Sequence, residues 1–134
     1  MKYKSHGNFF ALPNEIFLWG LTAGELAVYS FLRRCEDRKT RQCWPSIKTI
    51  GKAVNMSENT VRKYIRQLEE RGIITAEPTE VITKAGGKRN GNLRFTLRPI
   101  QEVIDEYYAR QMEDLELAEE RQRVAKLLTE QESP

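Results

Sequence analysis

Residues 44–74 read WPSIKTIGKAVNMSENTVRKYIRQLEERGII, a stretch whose spacing predicts two helices joined by a three-residue turn. Ser46, following Pro45, offers a capping hydroxyl for a first helix running to about Ala53, with Ile47, Ile50 and Val54 on one face. Gly51 stands mid-helix, where glycine costs roughly 1 kcal/mol against alanine, so a close packing neighbour is expected there. The turn is Val54-Asn55-Met56, and asparagine is one of the few side chains that tolerates a left-handed backbone. Ser57 then caps a second helix that runs to about Arg71 and stops at Gly72.

The second helix has two faces. Val61, Tyr64, Ile65 and Leu68 fall at i, i+3, i+4 and i+7 and are expected to point inward. Glu58, Asn59, Arg62, Lys63 and Arg66 then point outward from its N-terminal half. Long, mostly cationic, hydrogen-bonding side chains on one face can reach base edges and phosphates in a major groove. A solvated helix face is the plain alternative. The turn spacing and the segment that follows favour the groove.

The Pro-Ser pair, the small residue in the first helix, S-x-x-T-V-R, L-E and G-I-I resemble the winged helix-turn-helix domains of bacterial regulators. The pattern is similar both to GntR-type regulators and to domains of replication proteins from plasmids, phages and mobile elements. The upstream FFALPNEIFLWGLTAGELAVYSFLRR resembles the second group more closely, where a short L-P-x-E-I/L-F segment precedes a T/S-x-x-E helix. The likeness spans Phe9 to Leu97. It implies a replication-initiator or regulator role, with other replication proteins as further candidate partners.

The chain has 134 residues, enough for one domain and an appendage. Apolar residues make up 40% and charged residues 31%, and no apolar run approaches the ~20 residues of a membrane span. A cytoplasmic protein with no membrane partner is the expectation. The net charge of +3 hides an asymmetry: residues 1–98 hold 18 Lys and Arg against 9 Asp and Glu, whereas residues 99–134 hold 4 against 10. A basic front and an acidic tail suit a polyanion-binding domain followed by a segment kept off the polyanion.

Residues 1–8 read as a flexible polar arm whose Lys2, Lys4 and His6 could touch phosphates. Residues 9–98 form the expected winged domain. In it, Phe9 to Leu12 should anchor the arm on the core, and Pro13 should open a short helix that Gly20 ends. Thr22 and Glu25 make a T-x-x-E capping box for a core helix bearing Leu26, Ala27, Val28, Phe31 and Leu32. Cys35 to Cys43 reads as a loop with three basic residues, bracketed by two free thiols. After Gly72 the pattern turns extended: Ile73 to Glu77, then Val81 to Thr83, then Leu93 to Leu97. Between the last two lies KAGGKRNGN, whose Asn-Gly pair is a hairpin signal. A hairpin with a basic tip directly after a recognition helix is a wing, with Lys84, Lys88 and Arg89 at its end reaching the DNA backbone or minor groove.

Residues 99–134 read as an acidic helix, Ile100 to about Glu130, with a disordered tail. Ile100, Val103, Ile104, Tyr107 and Tyr108 form a dense apolar stripe in its first half, expected to be covered by the chain's own winged domain, by a second copy as the seam of a homodimer, or by both. Gln111 and Gln122 break any sustained heptad.

No catalytic constellation is visible. Residues 85–88, AGGK, lack the spacing and the Ser or Thr of a phosphate-binding loop. The one histidine has no carboxylate placed to orient it, and two cysteines with one histidine cannot supply a four-ligand zinc site. No cofactor and no metal are expected. The reading is therefore a mainly α chain with a small β-hairpin: a winged helix-turn-helix plus a C-terminal helix, binding double-stranded DNA. Ser46, Ser57, Glu58, Asn59, Thr60, Arg62, Lys63 and Arg66 are the candidates on the helices. Asn59 suits an adenine edge, and Ser57 and Thr60 suit phosphates at the helix N-terminus. The rival from another class is a protein-interaction module, which would centre on exposed aromatics rather than Arg and Lys.

Overall fold

The computed structural model describes residues 8–132. The chain divides between Pro99 and Ile100 into two compact units. In the first, a 3-10 turn at Asn14–Leu18 precedes α1 (Ala23–Cys35), β1 (Gln42–Cys43), α2 (Ile47–Val54), α3 (Glu58–Glu70), β2 (Ile74–Glu77), β3 (Glu80–Ile82), β4 (Lys88–Asn90) and β5 (Arg94–Leu97). The second is one helix, α4 (Ile100–Glu132).

The helices α1, α2 and α3 each start where a hydroxyl can accept the first orphan N–H. Thr22 accepts from Glu25 N at 3.3 Å while Glu25 Oε1 accepts from Thr22 N at 3.1 Å, so both arms of the capping box are made. Ser46 accepts from Thr49 N at 3.0 Å and Ser57 from Thr60 N at 3.2 Å. Asn55 closes α2 in the left-handed region (φ 58°), and Gly72 follows α3 at φ +73°. Gly51 is required by packing: a Cβ there would lie 2.7 Å from the backbone oxygen of Met56, in the turn.

The core is one cluster where the three helices meet a sheet of order β1-β5-β2. Val28, Tyr29 and Leu32 of α1, Ile50 of α2, and Val61 and Leu68 of α3 are fully buried with Phe95 and Leu97 of β5. Burying each large apolar side chain contributes roughly 1.5–3 kcal/mol over leaving it exposed. The burial along β5 alternates, as a half-buried strand requires, with Phe95 and Leu97 inward. Tyr64 completes the inward face of α3 by lying against Gly24, where a Cβ would stand only 2.1 Å from its ring.

Four expectations need correction. Cys35 to Cys43 is not only a loop: Gln42 and Cys43 pair with Thr96 and Phe95, giving the sheet a third strand. Two residues are too short for any periodic signal. The wing reverses at Lys84–Gly87, not at Asn90-Gly91; Gly86 supplies the positive φ (+82°), Thr83 O accepts from Gly86 N at 3.0 Å, and Gly87 O from Thr83 N at 2.7 Å. Asn90 instead ends β4 opposite Glu80, and Gly91 N donates to Thr79 O at 2.8 Å. Lys88 and Arg89 therefore belong to a strand rather than to the tip. Phe9 and Phe10 do not anchor on the core, being 70% and 37% exposed. Finally, α4 continues to Glu132. Lys2, Lys4 and His6 lie outside the described residues.

Both cysteines are free, Cys35 half-buried and Cys43 buried. Burial, with Cys35 and Glu36 close by, pushes the Cys43 thiol up to about 12. It behaves as a small apolar core residue. The basic loop before it sits at the end of the sheet opposite the wing, because Arg41 O accepts from Leu97 N at the far end of β5.

Candidate nucleic-acid interface

The outward face of α3 is built as its spacing predicts. Glu58, Asn59, Arg62, Lys63 and Arg66 are exposed, on a helix whose opposite side holds Val61, Ile65 and Leu68 in the core. These side chains are not equivalent. Arg62 lies 3.7 Å from Glu58 Oε1 and donates to Asn59 Oδ1 at 3.3 Å, so Glu58, Asn59 and Arg62 form one small network. Lys63 Nζ stands 5.4 Å from the centroid of the Tyr64 ring. Arg66 makes no ion pair among the described residues and projects freely.

Ser46 and Ser57 play matching parts at two helix N-termini, each accepting a backbone N–H and donating to the hydroxyl three residues on (Thr49 and Thr60, both 2.8 Å). Backbone donors and the helix dipole at such ends favour an anion. Lys48 and Lys52, four residues apart on α2, add positive charge along the rim of the turn between the helices. The sequence reading did not single them out, though their i, i+4 spacing on the polar side of α2 was visible.

The wing stands beside this face across a cleft of about 450 Å³. Ser46, Lys48, Glu58 and Arg62 line one wall, and Thr79, Asn90 and Asn92 the other. Asn92 Nδ2 donates to Trp44 O at 3.1 Å, tying the return of the wing to the segment that leads into α2. Lys84 sits at the tip. Lys88, opposite Ile82, and Arg89, opposite Val81, point to the two different sides of the β3-β4 ribbon. Lys88 shares the side of Asn90 and approaches Glu80 at 3.8 Å. Nothing in the local sequence announced Thr79, Asn90 and Asn92 as cleft residues, because the cleft forms only when wing and helices are brought together.

Ile100, Val103, Ile104, Tyr107 and Tyr108 occupy the first turns of α4. The Tyr107 and Tyr108 rings meet edge to face with centroids 5.4 Å apart, and Tyr108 is 48% exposed.

A three-helix unit with a turn between α2 and α3, closed by a small antiparallel sheet and a wing, is a winged helix-turn-helix fold. Residues 20–74 match the family model of a helix-turn-helix domain. Among solved structures, the chain is similar to a possible transcriptional regulator from Methanosarcina mazei Go1, at 18% identity and a TM-score of 0.48 over 86% of this chain and 82% of that one. It is also similar to a MarR family transcription regulator, at 21% identity and a TM-score of 0.42 over 85% and 73%. No curated protein matches the chain.

Proposed function

We propose that the chain is a cytoplasmic, sequence-specific double-stranded DNA-binding protein that regulates what lies at its site. The observation that carries this is the exposed face of α3, with Asn59, Arg62, Lys63 and Arg66 together beside a basic wing. In this reading α3 enters the major groove, Arg66 and Arg62 grip guanine edges or phosphates, and Asn59 is placed for an adenine. Ser46, Ser57 and Thr60 hold phosphates at the two helix ends, Glu58 orients Arg62, and the wing adds backbone contacts through Lys84, Lys88 and Arg89. A single helix reads only a few base pairs, so two copies acting together, meeting through the C-terminal helix, double the site.

The regulated event is transcription or the start of replication on a mobile element. The resemblance of Phe9–Leu97 to replication-protein domains supports the second role, in which other replication proteins would be partners. Selection of bound fragments from a random duplex pool tests the binding itself. Enrichment of one motif is the expected result. Uniform weak recovery of all sequences, with no motif, would discard the sequence-reading role of α3.

A further inference from the structure

The distal half of α4 carries apolar side chains and charges in an unusual order. Leu117, Val124 and Leu128 are 50%, 49% and 55% exposed. At 100° per residue they fall within about 40° of one another, a single short stripe. It lies on the side of the helix opposite Tyr108, Met112 and Leu115, which explains why no heptad runs through the whole element. Around the stripe the charges are sorted into blocks. Residues 113–120 hold five carboxylates and no base, and residues 121–126 hold three bases and no carboxylate. Among the described residues none of these charges is paired within the chain, although Glu106 and Arg110 nearer the start of α4 do pair.

We propose that this segment is an interface for a second copy of the chain, laid antiparallel about a two-fold axis near residue 119. Two features select that partner and that direction. Glu116 and Arg123 are seven residues apart and occupy the same flank of the stripe; Asp114 and Arg121 do the same on the other flank. Antiparallel pairing sets Glu116 against the other copy's Arg123 and Asp114 against its Arg121, and the two-fold axis makes each contact twice. Leu117 and Val124 then face each other's counterparts across the seam. A parallel pair in register would keep only the contact of Glu116 with the other copy's Arg121, setting Asp114 against Ala109 and Arg123 against Leu128, so it makes half as many ion pairs and otherwise leaves each block beside its own kind. The axis lies well beyond Tyr108, so the seam is the distal stripe and not the dense apolar one near Ile100.

This inference rests on the proposal that two copies act together. It is tested without DNA, so its failure leaves the outcome of the DNA selection standing. Sedimentation equilibrium of the full chain up to about 100 μM should show a dimer. The triple variant Arg121→Glu, Arg123→Glu, Lys126→Glu should be monomeric there, as should Glu116→Lys, Glu119→Lys, Glu120→Lys. An equimolar mixture of the two variants should sediment as a dimer again, which misfolded chains would not do. Direction is read by a nitroxide at Gln111→Cys in a Cys35→Ser, Cys43→Ala background. Antiparallel pairing sets the two labels about 25 Å apart along the axis from the 1.5 Å rise, whereas a parallel pair leaves them about 10 Å apart. A monomeric parent chain, a dimer indifferent to both charge reversals, or the short label distance would each overturn the proposal.

Discussion

Glu25 and Arg71 stand 46 residues apart in sequence, yet the carboxylate at the start of α1 takes two hydrogen bonds from the guanidinium just past the end of α3. Glu25 is 1% exposed and also closes the capping box with Thr22. One side chain therefore both starts the core helix and clamps the far end of α3 to it. Arg33, a second buried charge on α1, is paired in the same economical way with Glu36 and the Tyr29 hydroxyl.

That clamp gives the fold an acid-sensitive point. Burial pushes the Glu25 carboxyl up, but the hydrogen bonds from Arg71 and Thr22 outweigh it and hold the group below its ordinary value of 4.5. A carboxyl depressed in the folded state contributes stability that is present in full above its unfolded value and is lost as pH falls through the folded one. Urea denaturation should thus show stability declining as pH drops below about 4.5. Glu25→Gln should cost about 3 kcal/mol at pH 7, the low end for breaking a buried pair because Arg71 is partly exposed, and should flatten that acid slope. An unchanged slope in the variant would assign the acid sensitivity elsewhere.

Arg66 and Arg62 should separate on the cognate duplex. Arg66 has no ion pair to give up, whereas Arg62 must exchange Glu58 and Asn59 for DNA. Arg66→Ala should therefore be the more costly change, about 1–3 kcal/mol if it grips a guanine. A loss confined to the cognate sequence marks a base contact. A uniform loss on all duplexes, with the salt slope reduced by about one unit, marks a phosphate contact. Fluorescence anisotropy at several salt concentrations distinguishes them, and full binding by the double alanine variant would remove α3 from the interface.

On the wing, Lys88 and Arg89 face opposite sides of the ribbon. The Lys88 side is shared with Asn90, which lines the cleft toward α2 and α3. Lys88→Ala should weaken specific and random duplexes by similar factors and lower the salt slope by about one unit, while Arg89→Ala changes binding less. Equal effects of the two substitutions would mean that the ribbon turns on binding.

Gly51→Ala ought to stabilise an isolated helix by roughly 1 kcal/mol. In this protein the added methyl meets the Met56 carbonyl oxygen at 2.7 Å, and that atom belongs to the turn backbone. Overpacking of this kind costs about 1–3 kcal/mol, so the variant should unfold at lower urea concentration with an unchanged m-value. A gain in stability would show that the turn has slack.

Much of this architecture was legible in single short stretches. Ser46, Ser57 and the Thr22–Glu25 box marked three helix starts, Asn55 and Gly72 marked two ends, and the spacing of Val61, Ile65 and Leu68 declared which side of α3 is buried. All of these are interactions over at most a few residues, so neighbouring side chains suffice to specify them. The bearing of Arg62, Lys63 and Arg66 followed by subtraction from the buried face.

Tertiary structure decided the rest. The two residues of β1 have no period of their own and become a strand only because Thr96 and Phe95 lie alongside. Asn90-Gly91 has a hairpin composition, yet pairing of Val81 with Arg89 and Ile82 with Lys88 moved the reversal to the glycine pair before it. The Glu25–Arg71 clamp and the cleft between wing and helices each join segments tens of residues apart. Whether such groups meet depends on how whole elements pack, and residues remote in the chain carry no local signal of one another.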